Sequence, residues 1–348
     1  MPAVAPITLA LDAMGGDHGY ATVVAAARLA LDEHPQLHLI LVGDEARLRP
    51  ALHEHRLAGE TRVVVHHASE TVGMDESPSK ALRGKKDSSM RVAINLVRDG
   101  RAQAAVSAGN TGALMATAKF VLKTLPGIDR PAIISAIPSM NGHVHMLDLG
   151  ANAQCSAEQL FQFALMGSAM LTATRRIERP SVALLNIGEE EIKGNEVIKQ
   201  AAQLLQASAL NYVGYVEGDG VFTRDLDLVV CDGFTGNIAL KTGEGVAKLL
   251  YHYIKQEFTR SLLTKAAAIA ALPALKALKK RMDPRNYNGA SLLGLSGIVI
   301  KSHGSADAQA FATAIRVAVA EVRHQVPQRI AAQLAKVPVP SHAGGAAS

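Results

Sequence analysis

The sequence predicts an α/β protein with a mainly parallel sheet flanked by helices. Short apolar runs alternate with stretches of helical periodicity along the whole chain. Most of these runs end in glycine next to a polar residue, as strands do when they feed crossover helices. The apolar residues, 48% of the 348, are overwhelmingly aliphatic; aromatics are 4% and Trp is absent, which suits strands buried on both faces.

ITLALDA (7–13) opens the series, followed by a helix near 19–32, LHLILVG (37–43) and a helix at 44–55. RVVVHHA (62–68), AAVSAG (104–109), AIISAI (132–137) and HVHMLDLG (143–150) continue it. VALLNIG (182–188), YVGYVEG (212–218), LDLVVCDG (226–233) and GIVIKSHG (297–304) complete it. This reads as one domain over 1–336, with a soft internal division near 150–180 and a small, Pro/Gly-rich tail at 337–348 expected to be disordered. V-x-x-G-x-T-G occurs at 106–112 and again at 230–236, through either duplication or convergent loop chemistry.

Composition narrows the function classes. Cys155 and Cys231 form neither a metal pattern nor a disulfide framework, which fits a reducing cytoplasm. The N-terminal apolar stretch is broken by Asp12 and reads as a strand rather than a signal peptide. No stretch of about 18 uncharged apolar residues is present, so no membrane span is expected. The net charge is +5, but 251–285 holds eight Lys/Arg against Glu257 and Asp283, which leaves the rest of the chain near neutral. Without aromatic platforms or a recognition motif beside that charge, a nucleic-acid partner is not expected.

In open α/β sheets ligands bind beyond the carboxyl ends of the strands, so the polar residues there are the candidates. A strand, a Gly-rich turn and a helix together aim free amides and the positive helix end at one point, which attracts anions. Ser107, Gly109, Asn110, Thr111 and Gly112 form one such loop; Asp232, Gly233, Thr235, Gly236 and Asn237, with Lys241 a turn later, form another. Neither is a P-loop or a G-x-G-x-x-G fingerprint, and each also reads as a tight turn that needs glycine. In 186–196, Glu190, Lys193 and Asn195 stand where a helix begins. That run is either a solvated face or an oxyanion contact through Lys193. Asp12, Gly15, Gly16 and Asp17 close the first strand, as acid/base groups or as a turn with Asp17 capping a helix. Asp148, Asn152, Glu217 and His303 are expected at the same sheet edge. Cys231 follows a buried run and reads as a core thiol.

Taken in order, ALDAMGGDHG, VSAGNTGALMA, LDLGAN, LLNIGEEEIKGNE, YVEGDGVF, DLVVCDGFTGNIALK and LLGLSGIVIKSHGSAD resemble the bacterial acyl-acyl-carrier-protein:phosphate acyltransferases over roughly 6–325. The resemblance implies a fold like the phosphotransacetylase and isocitrate dehydrogenase group. It implies transfer of a long-chain acyl group from acyl carrier protein to inorganic phosphate for phospholipid synthesis, with no metal or organic cofactor. It further implies a homodimer, peripheral membrane association and hand-over to a downstream glycerol-3-phosphate acyltransferase. On this reading phosphate lies against Lys193, Asn195, Thr235 and Asn237. Amides of Gly109–Gly112 or Gly233–Gly236 form the oxyanion site, and His303 or Asp12 handles the proton. The rival enzyme reading is a metal- and nicotinamide-dependent decarboxylating dehydrogenase of related fold; the non-enzyme rival is a membrane scaffold that only binds the carrier.

Residues 255–285 are expected to form an amphipathic, basic helical insertion interrupted at Pro273. Leu262, Leu263, Ile269, Leu272 and Leu275 give it an apolar face, and Lys276, Lys279, Lys280 and Arg281 a basic rim. Such a segment suits an anionic membrane, acyl carrier protein or a dimer partner.

Overall fold

The structure is a computed structural model and describes residues 5–336. The expectation for the 337–348 tail falls outside the described residues. Eleven strands form one sheet: β1 (Ile7–Asp12), β2 (Leu37–Gly43), β3 (Val63–His67), β4 (Ala104–Ser107), β5 (Ala132–Ser139), β6 (Gly142–Leu147), β7 (Ser181–Leu185), β8 (Asn211–Val216), β9 (Leu228–Val230), β10 (Ala290–Leu293) and β11 (Ile298–Lys301). Their spatial order is β3-β2-β1-β4-β11-β10-β5-β6-β9-β7-β8. Most neighbours are parallel, as the βα alternation predicts, but β11–β10, β10–β5 and β5–β6 are antiparallel.

Three reversals in succession turn the sheet over. The carboxyl ends of β1, β4 and β11 lie at one end of the strands; those of β6, β9, β7 and β8 lie at the other. This corrects the expectation of a single edge carrying every Gly-punctuated loop. Two local features explain it. β5 and β6 form a tight hairpin through Met140 and Asn141, with Ser139 paired to Gly142, so Asn141-Gly142 is a hairpin signal. The other is β10, a four-residue strand too short and too small-sided to stand out in the sequence.

One apolar layer runs along a whole face of the sheet, from Ala10 and Ala105 through Val299 and Met146 to Ala183 and Val216. It is covered by α3 (Pro78–Gly84), α4 (Ser89–Arg98), α5 (Thr111–Leu122), the short α8 (Gly220–Thr223) and the start of α9 (Gly233–Thr259). The opposite face is covered by two groups. The first is α1 (Gly19–Glu33), α2 (Glu45–Glu54) and α12 (Ala308–Arg323); the second is α6 (Ala157–Arg175), α7 (Glu196–Gln206) and α13 (Val326–Leu334). The helices α10 (Leu262–Ala270) and α11 (Leu272–Arg281), with Pro273 in the first turn of α11, bury no side chain. Along α9 only Gly233 and Gly236 are buried.

Glu321 of α12 is fully buried, and among the described residues its carboxylate accepts a hydrogen bond only from the Ser291 hydroxyl, at 3.1 Å. Burial pushes its carboxyl up to about 7. The folded value exceeds the ordinary 4.5, so this group's contribution to stability is full below about 4.5 and is lost as pH rises through about 7. The difference amounts to about 3 kcal/mol. Glu321→Gln should flatten the stability profile between pH 5 and 8, read as urea midpoints; an unchanged profile would remove Glu321 as its cause.

Candidate functional site

Asp12, Ser107 and Lys301 end three adjacent parallel strands in matching register, Asp12 opposite Ser107 and Ser107 opposite Lys301. Alternation sends all three side chains to the α4/α5 face, since Ala10, Ala105 and Val299 two residues earlier pack into that face's core. All three are buried. The Ser89 hydroxyl donates to one Asp12 oxygen at 2.6 Å and the Ser107 hydroxyl to the other at 2.6 Å. Burial pushes the Asp12 carboxyl up, against the pull of those hydrogen bonds and of the Met14 and Gly15 amides.

Lys301 donates to the carbonyls of Ala108 (3.0 Å) and Ser302 (2.6 Å). An ammonium has three donors, so one remains for a ligand. Burial lowers its pKa to about 8, opposed by Asp12 and Asp17. His303 is anchored through its amide by Asn288 Oδ1 (2.9 Å), and Asn288 also holds the Ser302 hydroxyl (2.8 Å). The Ser305 amide donates to His303 Nδ1 at 3.2 Å, which leaves Nε2–H as the donor of the neutral ring. Burial lowers the imidazole pKa, and so do Lys241 and Lys248 of α9, against Glu244. Helix α9 starts at the far strand ends and brings Lys241, paired with Glu244 at 3.0 Å, within electrostatic reach of Lys301 and His303.

The loops over this cluster approach too closely for side chains. A Cβ on Gly15 would lie 2.7 Å from both Asp12 Oδ2 and the Gly109 nitrogen; one on Gly16, where φ is +85°, would lie 2.9 Å from the Gly304 carbonyl oxygen. The Asp17 amide donates to that same carbonyl (2.8 Å). Asn110 is a clamp: its oxygen caps α5 through the Ala113 amide (3.0 Å), and its amide group holds the carbonyls of Met74 (2.7 Å) and Glu76 (3.0 Å). Segment 74–76 is thereby tied over the cluster. The Gly109 amide donates to the Ser107 hydroxyl (3.0 Å), which leaves the α5 first-turn amides of Thr111 and Gly112 as the better-placed anion donors of that loop.

The far strand ends hold the other candidates. Asp148 is fully buried and accepts from Ile133, Gly150, Ala151 and Asn152 amides and from the Asn152 side chain, at 2.8–3.1 Å. With Asn152 it forms a structural knot at the root of α9. Gly236 packs on it, since a Cβ there would collide with the Asp148 carbonyl. The Gly233 amide goes to the Asn152 carbonyl (2.7 Å), the Gly236 amide to the Asp232 carbonyl (3.0 Å), and the Thr235 amide and hydroxyl to the Asp232 carboxylate (2.8 Å each). These amides are spent on the helix cap and are not a free oxyanion hole. Asn237 is exposed against Gly150. Cys231 is buried with its thiol pushed well up by burial, so it holds no thiolate for nucleophilic attack.

Lys193 is exposed, packs on Gly188 beside Glu190, and sits beyond β7. Asn195 caps α7 (3.0 Å), and Glu217 is exposed at the end of β8. β7 is six neighbours from β4, roughly 30 Å of sheet, and its carboxyl end points the other way. Lys193, Asn195 and Glu217 therefore do not join the Asp12–Lys301 cluster. Conversely, Lys301, Ser89, Ser302 and Asn288 were not singled out from the sequence. Lys301 was legible as the one charge closing the apolar run Gly-Ile-Val-Ile; Ser89 and Asn288 carried no signal. Among the described residues no group of three or more His, Cys, Asp or Glu is placed to hold a metal ion, and no helix is long and apolar enough to cross a membrane.

Comparison with known proteins adds the following. Residues 7–329 match the family model described as "Fatty acid synthesis protein". The phosphate acyltransferase of Methylococcus capsulatus is 62% identical over 330 residues, 95% of this chain and 97% of that protein. That of Alkalilimnicola ehrlichii is 62% identical over 324 residues, 93% and 95%. Among solved structures, a phosphotransacetylase from Streptococcus pyogenes superposes with TM-score 0.60 at 18% identity, covering 91% of this chain and 94% of that one. A branched-chain phosphotransacylase from Enterococcus faecalis gives 0.57 at 15%, covering 91% and 99%.

Proposed function

The chain belongs to the phosphate acyltransferase family, and from that premise we propose that it moves a long-chain fatty acyl group from acyl carrier protein to inorganic phosphate at the Asp12–Ser107–Lys301 cluster. The observation that supports this most is a buried lysine with one spare donor, beside a carboxyl whose burial favours its protonated form and under the first turn of α5. That set suits a phosphate next to a thioester.

Phosphate is itself the nucleophile, so the protein's work is positioning and charge stabilisation. Lys301 holds the phosphate, with Lys241 as a second cation. One phosphate oxygen attacks the thioester carbonyl carbon, and the tetrahedral oxyanion is met by the Thr111 and Gly112 amides and by His303 Nε2–H. Collapse breaks the carbon–sulfur bond, giving acyl phosphate, and the departing thiolate takes up the proton that the attacking hydrogen phosphate gives up, with Asp12 as the relay. Asp17 supports the charge of Lys301.

The remaining expectations stand as parts of the same proposal. The exposed apolar residues Leu249, Leu250 and Tyr253 of α9 and Leu262, Leu263 and Ile269 of α10, with the basic residues of α11, suit self-association and contact with an anionic bilayer. The product would pass to a membrane-bound glycerol-3-phosphate acyltransferase.

The test is to incubate the protein with palmitoyl carrier protein and trap product with hydroxylamine. Hydroxamate above the enzyme-free background, which hydroxylamine draws directly from the thioester, should form only when phosphate is supplied; the same excess without phosphate would contradict the acceptor, and no excess in either case would contradict the reaction.

A further inference from the structure

We propose that the outer edge of α3 is the docking surface for the acidic carrier protein that delivers the acyl group, an inference that rests on the acyl-carrier reading above. Residues 78–86 contain Lys80, Arg83, Lys85 and Lys86 and no acid. Lys85 is satisfied internally by Glu76 at 2.7 Å. Lys80, Arg83 and Lys86 are exposed and make no ion pair among the described residues. Lys80 and Arg83 share a helix face at i,i+3, and Lys86 follows directly. Of the flanking acids, Glu76 holds Lys85 and accepts from the Gly73 amide (3.1 Å), Asp87 accepts from the Ser69 hydroxyl and amide (2.6 and 2.8 Å), and Asp75 and Asp87 are exposed. Pairing with Lys85 neutralises Glu76, and Lys80, Arg83 and Lys86 remain as three solvent-facing cations with no ion pair among the described residues.

The position of this edge ties it to the reaction. Helix α3 packs on α5, with Ala81 buried and Pro78 against Gly112. The preceding residues Met74 and Glu76 are held over the cluster by Asn110. A carrier seated on Lys80, Arg83 and Lys86 therefore delivers its flexible thioester arm beside Lys301 and the α5 first turn. The larger basic segment, 255–285, lies mostly on α10 and α11, which bury no side chain. Rim charges of this kind act mainly on association rate and on salt dependence.

The experiment compares the wild type with the Lys80→Glu/Arg83→Glu/Lys86→Glu triple variant, full length, on palmitoyl carrier protein and on palmitoyl-pantetheine, which lacks the acidic protein. The variant should raise KM for the carrier substrate on the order of tenfold, with kcat unchanged and a weakened salt dependence. Its kinetics with palmitoyl-pantetheine and its KM for phosphate should stay at wild-type values. Unchanged KM for the carrier would overturn the proposal. So would an equal loss on both acyl donors, or loss of binding to anionic vesicles with carrier kinetics intact. Inactivity of the wild type itself on palmitoyl carrier protein is the separate result that would sink the acyl-carrier reading.

Discussion

Lys301→Met is expected to lower kcat/KM for acyl phosphate formation on the order of 10²- to 10³-fold, the usual cost of removing one preorganised contact to developing charge, with the fold intact. Methionine fills the same buried channel but cannot hold an anion. It also removes the cation that faces Asp12, so the change carries a pH signature. In the wild type the ammonium, at about 8, loses its proton above that pH, and KM for phosphate should then climb by about tenfold per pH unit. The variant should lack that limb. Stability moves differently: the folded pKa lies below the ordinary 10.5, so between about 8 and 10.5 the unfolded chain binds the extra proton and the wild type gains stability as pH rises. Rates within threefold of wild type, or a variant that keeps the alkaline limb, would remove Lys301 from phosphate binding.

Asp148→Ala should produce the largest loss of stability. The fully buried carboxylate accepts five hydrogen bonds, and its deletion strands five donors, of which the Ile133 and Asn152 amides and the Asn152 side chain are buried and the Gly150 and Ala151 amides lie nearer the surface. At about 1–3 kcal/mol for each stranded buried group, with some relaxation, the cost should exceed about 4 kcal/mol. The knot roots α9 and joins β5 to β6, so Lys241 should lose its position as well. Guanidinium denaturation measures this; a midpoint within error of the wild type would show that the five bonds are replaceable.

The architecture was largely legible, and its limits have physical causes. Ten of the eleven strands stand out as short apolar runs, most of them ending in Gly and a polar residue. β10 does not, being Ala-Ser-Leu-Leu. That gap, together with the β5–β6 hairpin read as two parallel strands, hid the reversal that sends Asp148, Asp232 and Lys193 to the opposite strand ends from Asp12 and Ser107. Side-chain chemistry at a strand end is visible in sequence; which end of the sheet it faces depends on pairing between distant segments. Asn110 illustrates a second limit. It reads as a ligand donor, yet both hydrogens of its amide go to the 74–76 segment and its oxygen caps α5. Lys301 shows the converse: the sequence marks it as the charge that closes an apolar strand, but only its neighbours across the sheet, Ser107 and Asp12, make it a site residue.

The most direct test of where the acceptor sits uses arsenate, an electron-rich analogue of phosphate, in crystals of the wild-type protein. Anomalous density should appear between Lys301 Nζ and the first-turn amides of α5, within reach of Lys241. A peak beside Lys193 and Asn195 instead, with none at Lys301, would mean that the Asp12–Ser107–Lys301 row is only structural.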